Sequence, residues 1–468
     1  MHENNGIKSK LTRIITSPIM FTILVFTIIF LGNCVYWLAY FPGGFNLDSY
    51  GQWMQAHGDM PFNNWHPFFV TSIYWLLVRI QDSFSFCICF QLVLFSLSLS
   101  CLLCKIGTII HNQTIIYFVA AIESINPAIC INNISLIKDV YFTIGVIWLI
   151  YFMIGVYLTQ GKCLWGYTGV MVVLFSIMTI LTRHNAILFV LPMLCSMLFL
   201  LKEERKVCMI ITIVTLVVAI FVEGPLFTLL GVRHHDNPTA EVIGVPMAIM
   251  VNAFLEEEDQ CPEEVRKFLL EKADYDEWDY YYNTGEWDSV RWDIGGAQFL
   301  EDESIWKIYL LGIKTAIACP RSAIMSFLWN TRMVWQALGK VDWESRAFIE
   351  KNKYNIVPDY NPICRFIIDN IMKLSLTFIG ATLVWNLGWI MLLIVWGIYY
   401  AYKNEKTKAL FLIPLLSYNV LTMLLLAGPN YRYFYYNQVI LFAVALIVIE
   451  FKRNENEIGE EAYGFSGD

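Results

Sequence analysis

The chain has 468 residues, 57% of them hydrophobic and 15% charged, with a mean hydropathy of +0.53. Soluble domains carry about 25% charged residues, so these values exclude a soluble multidomain enzyme, a disordered chain and a nucleic-acid binder, and they point to a membrane protein. The formal charge is −8, yet residues 231–305 hold 5 Lys/Arg against 19 Asp/Glu, which leaves the rest of the chain at +6. Such asymmetry predicts an acidic segment on one side of a bilayer and basic loops on the other.

A helix crossing about 30 Å of hydrocarbon needs about 17–25 apolar residues. Ten stretches qualify in chain order: 15–40, 83–104, 113–131, 140–158, 164–181, 184–201, 207–230, 373–401, 409–427 and 433–450. The first is too long for a signal-peptide core and lacks a small-residue cleavage site, so it reads as an anchor. If the ten alternate, thirteen basic residues fall on one side (Lys8, Lys10, Arg13, Lys105, Lys162, Lys202, Arg205, Lys206, Lys403, Lys406, Lys408, Lys452 and Arg453). The short loops opposite hold four: Arg79, Lys138, Arg183 and Arg432. The positive-inside bias then predicts both termini in the cytoplasm of a multi-pass plasma-membrane protein. The expected fold is an all-α polytopic membrane protein of about ten transmembrane helices. It divides into an N-terminal transmembrane module 1–230 with a first outer loop 41–82, an extracytoplasmic segment 231–372, and C-terminal helices with a tail, 373–468.

Residues 67–80 are apolar but short for a span, and counting them as one would swap the sides of the later loops. A juxtamembrane helix on the outer face fits better. The same reading applies to 305–337, where Lys307, Lys314, Arg321 and Arg332 interrupt an apolar run. The long segment opens Gly231-Val-Arg-His-His-Asp, predicts a charged helix near 256–274, and continues into the aromatic residues Trp278, Tyr280, Tyr281, Tyr282, Trp287 and Trp292. It carries no Gly-rich phosphate loop, nucleophile elbow or His-Glu-x-x-His. The 12 cysteines lie mostly in apolar runs and suggest no disulfide framework; Cys101 and Cys104 have metal-type spacing without a second pair.

Ionisable residues near a bilayer are costly and usually functional. Four outward motifs gather them. Phe41-Pro-Gly-Gly-Phe-Asn-Leu-Asp48 leads into a stretch where Asp48, Gln52 and Gln55 share a helical face, followed by His57. A carboxylate beside two amides suits orienting sugar hydroxyls and taking a proton from one; Asp48 as a helix N-cap is the competing and compatible reading. The others are Lys138-Asp139, the turn Arg183-His184-Asn185, and Tyr431-Arg432-Tyr433, where solvated-loop or interfacial-anchor roles compete with function. Three cations around an acid at headgroup depth suit a lipid phosphate and a hydroxyl acceptor. Developing charge on a phosphate leaving group needs such stabilisation. Asp48, Asp139 and His66 are also residue types that hold a divalent metal, but a lipid monophosphate leaving group held by Arg and Lys requires no metal or other cofactor.

In these motifs the chain resembles the GT-C superfamily of integral-membrane glycosyltransferases, and most closely its uncharacterised bacterial members. The resemblance rests on the acid after the first span (Phe-Asn-Leu-Asp48-Ser), the following Trp65-His66-Pro67, the second-loop acid of Lys138-Asp139, and the turns at 183–185 and 431–433. It implies transfer from a polyprenyl-phosphate-linked sugar to a cell-envelope glycan, lipid or protein. It also implies a first-loop acid, Asp48, as base or orienter, with Asp139 as its rival. Lys138, Arg183 and Arg432 are then expected at the donor phosphate, and Gln52, Gln55, His57, His66, His184, Tyr431 and Tyr433 at sugar or acceptor. The first loop lacks the adjacent Asp-Glu pair of the protein mannosyltransferase branch, which argues against a protein Ser/Thr acceptor. Two other classes compete. A transporter or lipid flippase would use Glu123, near Asn126-Pro127, and Glu223, before Gly224-Pro225; a surface-polysaccharide polymerase or ligase would use the same outer face.

Overall fold

The computed structural model describes residues 18–233, 242–282, 286–291, 293–294 and 303–450. Lys8, Lys10, Arg13, Lys452, Arg453, the His234-His235-Asp236 run and Trp292 lie outside the described residues, and so do both termini. The described residues form an all-helical protein. Five helices are long and apolar enough to cross a membrane: Pro18–Ala39 (α1), Phe84–Ile109, Lys138–Leu158, Arg205–Leu229 and Tyr431–Glu450. Counting each of three sharply bent helix pairs as one span raises this to eight. α1 exposes Ile19, Ile23, Leu31 and Leu38, and the helix from Arg205 exposes Ile213, Val217 and Ile220. Apolar faces this open belong against lipid.

The ten-stretch expectation is therefore met as a helical membrane protein, while several stretches are shorter or broken. Helices Tyr167–Thr182, Ile187–Leu200, Gly388–Asn404 and Ala409–Met423 have 16, 14, 17 and 15 residues. Stretch 113–131 bends by 63° between Gln113–Ile125 and Pro127–Asn133. There the Asn126 side chain accepts from the Ala128 amide and starts a new helix with proline in its first turn. Stretch 373–401 is no single helix: Pro362–Ser375 ends, the chain turns by 93° into Phe378–Val384, and Gly388 begins a third helix. Thr377 caps the middle piece through the Gly380 amide, 3.2 Å away, and a side chain at Gly380 would collide with the Leu374 carbonyl. Hydropathy reads across these breaks because the residues that make them are small or uncharged.

Contacts at the helix ends sort the loops into two groups. At one end Lys105 donates to the Tyr151 carbonyl, Tyr157 to Glu405, Gln160 to Thr407, Trp165 to Glu204 and Lys408 to the Val448 carbonyl. At the other, loop 43–45 meets 134–136, His184 meets 64–65, and Asn185 meets Thr422. The first group contains the lysine-rich loops.

The loop after α1 forms two further helices relevant to the site. Leu47–His57 (α2) packs on Phe68–Ile80 (α3), the latter where a juxtamembrane helix is expected, and the membrane-length helix Lys138–Leu158, named above, is α4. In the long segment, Gly244–Glu256 packs against Ile305–Ala318 and Pro320–Trp335, a pair bent by 118°, around buried Trp278 and Trp287. The charged helix near 256–274 is found as Glu263–Leu270.

Candidate functional site

The loop after α1 is fixed before Asp48 by backbone pairing. Gly44 donates to the Ile134 carbonyl at 2.9 Å and accepts from the Leu136 amide at 3.1 Å. Gly43 takes a φ of +126° that glycine tolerates, and any side chain on Gly44 would strike the Ser135 hydroxyl. Phe45 pairs in turn with Phe348 and Glu350 of the long segment. α2 then begins with Asn46 as its N-cap, whose side chain accepts from the Ser49 amide at 2.9 Å. The capping reading of Asp48 is thereby corrected: Asn46 does that work, and Asp48 sits in the first turn with its carboxylate turned elsewhere.

Three other parts of the chain gather around that carboxylate. Arg432, in the 3₁₀ turn Tyr431–Tyr433, donates from Nη1 to Asp48 Oδ2 at 2.6 Å. His66 brings Nε2 to 3.8 Å from Asp48 Oδ1, too long for a hydrogen bond. Lys138, the first residue of α4, has Nζ 3.1 Å from His66 Nδ1. The Asp48 and Arg432 side chains keep 24% and 20% exposure, so the pair is open to a ligand. Burial alone would raise the Asp48 carboxyl, but Arg432, His66 and Lys138 overcome it and hold the group well below the usual carboxylate range. His66 is pushed down to about 3 by burial and by Lys138, against the pull of Asp48. It is therefore neutral at pH 7, with Nδ1 accepting from Lys138 and Nε2 carrying the hydrogen.

Asp139 follows Lys138 directly but points the other way. Its side chain is 1% exposed and paired with Arg183, itself 6% exposed. Arg183 also donates from Nε to Asn185 Oδ1 at 2.9 Å and lies over the Tyr433 ring at 4.5 Å. Asn185 is held by Thr422 and Tyr418. The second cluster thus lies behind the first, and Tyr433 touches both, since Arg432 lies 5.3 Å from its ring.

The remaining expected residues are placed variously. His184 Nε2 reaches the carbonyls of Asn64 and Trp65 and braces the loop that carries His66. Gln52 donates to Thr71 Oγ1 at 3.0 Å, and Gln55 accepts from the Asn63 amide at 2.9 Å. Both are buried between α2 and α3, with Gln52 Oε1 unpartnered among the described residues. His57, at the far end of α2, pairs with Asp82 and the Trp53 carbonyl rather than with Asp48. Tyr431 is buried, donates to the Val384 carbonyl and anchors the 3₁₀ turn. Asn46, Gly44, Asn185 and Thr422 support the site and carry no charge to mark them; the spacing Asn46-Leu-Asp-Ser49 is the one cap signal available in sequence. Asp48, His66 and Asp139 do not gather as a metal cage, and among the described residues no three His, Cys, Asp or Glu side chains do.

No protein-family model, curated protein or solved structure matches the chain. The arrangement itself is an open carboxylate–guanidinium pair flanked by a lysine and a neutral histidine, with a buried ion pair behind.

Proposed function

We propose that the protein is a membrane glycosyltransferase that moves a sugar from a polyprenyl-phosphate-linked donor to a cell-envelope acceptor on the extracytoplasmic side. The reaction is an inverting single displacement. The acceptor hydroxyl gives its proton to Asp48 as its oxygen bonds to the anomeric carbon. The bond to the phosphate oxygen breaks, and the electron pair leaves with the polyprenyl phosphate. Arg432, with Lys138 beside it, stabilises the charge on that leaving phosphate; Arg suits it because its planar fork matches two phosphate oxygens.

The observation that carries this reading is the Arg432–Asp48 pair at 2.6 Å, flanked by His66 and Lys138. It supplies a phosphate-type cation and a proton acceptor within one contact of each other. Burial of the Asp139–Arg183 pair favours Asp48 over Asp139 as the acid that meets substrate. The test is turnover of polyprenyl-phosphate sugars by purified protein in detergent.

One observation favours a second reading, a transporter. Glu123 is buried beside the break at Asn126-Pro127 with both carboxyl oxygens unpartnered among the described residues. Glu223 lies in the π turn Val222–Leu226. Turnover in detergent, without a membrane gradient, rules out a pure transporter.

A further inference from the structure

In the proposed transfer Arg432 holds the donor phosphate and Asp48 takes the acceptor proton, yet in this structure the two are bonded to each other. Arg432 Nη1 donates to Asp48 Oδ2 at 2.6 Å, while Arg432 Nε is buried without an acceptor among the described residues. A guanidinium offers its donors as a fork, and a phosphate with several oxygens fits that fork better than a carboxylate touching one nitrogen. Asp48 keeps 24% exposure and is not the cap of α2, so the side chain is free to leave without unravelling the helix. We propose that the Asp48 carboxylate is an internal stand-in for the donor phosphate: it occupies Arg432 until the phosphate oxyanion displaces it, and only then is it free to accept a proton.

The inference rests on the reading of the site as one for a lipid-linked phosphate and adds an order to it, donor before acceptor. While Arg432 holds the carboxylate, Asp48 is a weak proton acceptor, because the cation keeps its carboxyl well below the ordinary range. A phosphate on Arg432 replaces that cation with a neutralised one and adds an anion nearby. Both changes restore the proton affinity of Asp48 at the moment an acceptor needs it. An empty site therefore holds no active base.

The measurement is the binding of a polyprenyl phosphate, without sugar, to the full-length protein in detergent. If the carboxylate competes with phosphate, Asp48→Asn binds at least about threefold tighter than wild type. Asp82→Asn, which removes an equal charge from an exposed residue paired with His57, leaves the affinity unchanged. Arg432→Gln weakens binding and abolishes the gain from Asp48→Asn. The dephosphorylated polyprenol shows no dependence on residue 48. Inorganic phosphate that competes in the same rank order identifies the oxyanion alone as the recognised group; competition only by the lipid form identifies the headgroup in its membrane setting. Equal or weaker binding by Asp48→Asn, an equal gain from Asp82→Asn, or no binding by wild type and Asp48→Asn alike overturns the proposal. Sugar transfer by wild type without the gain discards the exchange and keeps the transfer; the gain without any transfer does the reverse.

Discussion

Two adjacent residues, Lys138 and Asp139, go to different places because neighbouring positions on a helix point about 100° apart. Lys138 turns to His66 and the open site, Asp139 to the buried Arg183. Their consequences differ when they are changed. Removing one member of a buried ion pair leaves a charge without compensation, at a cost of about 3–5 kcal/mol. Asp139→Asn is therefore expected to lower the melting temperature in detergent sharply, whereas Asp48→Asn, at a partly exposed pair, changes stability by about 1 kcal/mol or less. Equal melting of the two variants would contradict this division of roles. His66 gives a pH signature. Its folded value of about 3 lies below the ordinary value of 6.5, so below pH 6.5 the unfolded chain binds a proton that the folded one refuses. Stability is full above about pH 6.5 and declines as the pH falls toward 3, by at most about 1.4 kcal/mol per unit from this group. Melting curves between pH 7.5 and 5 should show a shallower decline in His66→Gln. A steeper one would mean that His66 charges against Asp48 instead.

At the scale of elements, the position of Asp48 depends on Gly43-Gly44 docking on 134–136. A methyl at residue 44 meets Ser135, and overpacking of this kind costs about 1–3 kcal/mol. Gly44→Ala is expected to lower both melting temperature and turnover, and Ser135→Gly in the same chain to restore much of each by removing the obstructing side chain. Failure of that rescue would remove the contact from the account. The charged residues of the site were legible in sequence because ionisable groups at the outer ends of apolar stretches stand out. Their pairing was not, since which acid meets which cation depends on strands of loop brought together by glycines and an asparagine cap. The helix breaks were hidden for a related reason: Asn126, Thr377 and Gly380 interrupt a helix through capping and close approach, neither of which alters hydropathy.

For the whole molecule, Lys105 and Lys408 make their contacts at one end of the bundle and the Asn185–Thr422 contact lies at the other. The positive-inside bias of the sequence predicts that the Asp48 end faces away from the cytoplasm. Single cysteines replacing Gln260 and Glu455, in a background freed of the native thiols, should be labelled from opposite sides of sealed vesicles. Labelling from the same side would contradict the topology and the side on which the transfer is proposed.

Whether Asp48 is the base of a transfer from a lipid-linked sugar is decided by single-turnover assays of wild type and Asp48→Asn with polyprenyl-phosphate sugars in detergent. A product of inverted anomeric configuration is expected from wild type, and a rate about 10²–10⁴-fold lower from the folded variant. Undiminished turnover by Asp48→Asn, or a product of retained configuration, would contradict that expectation.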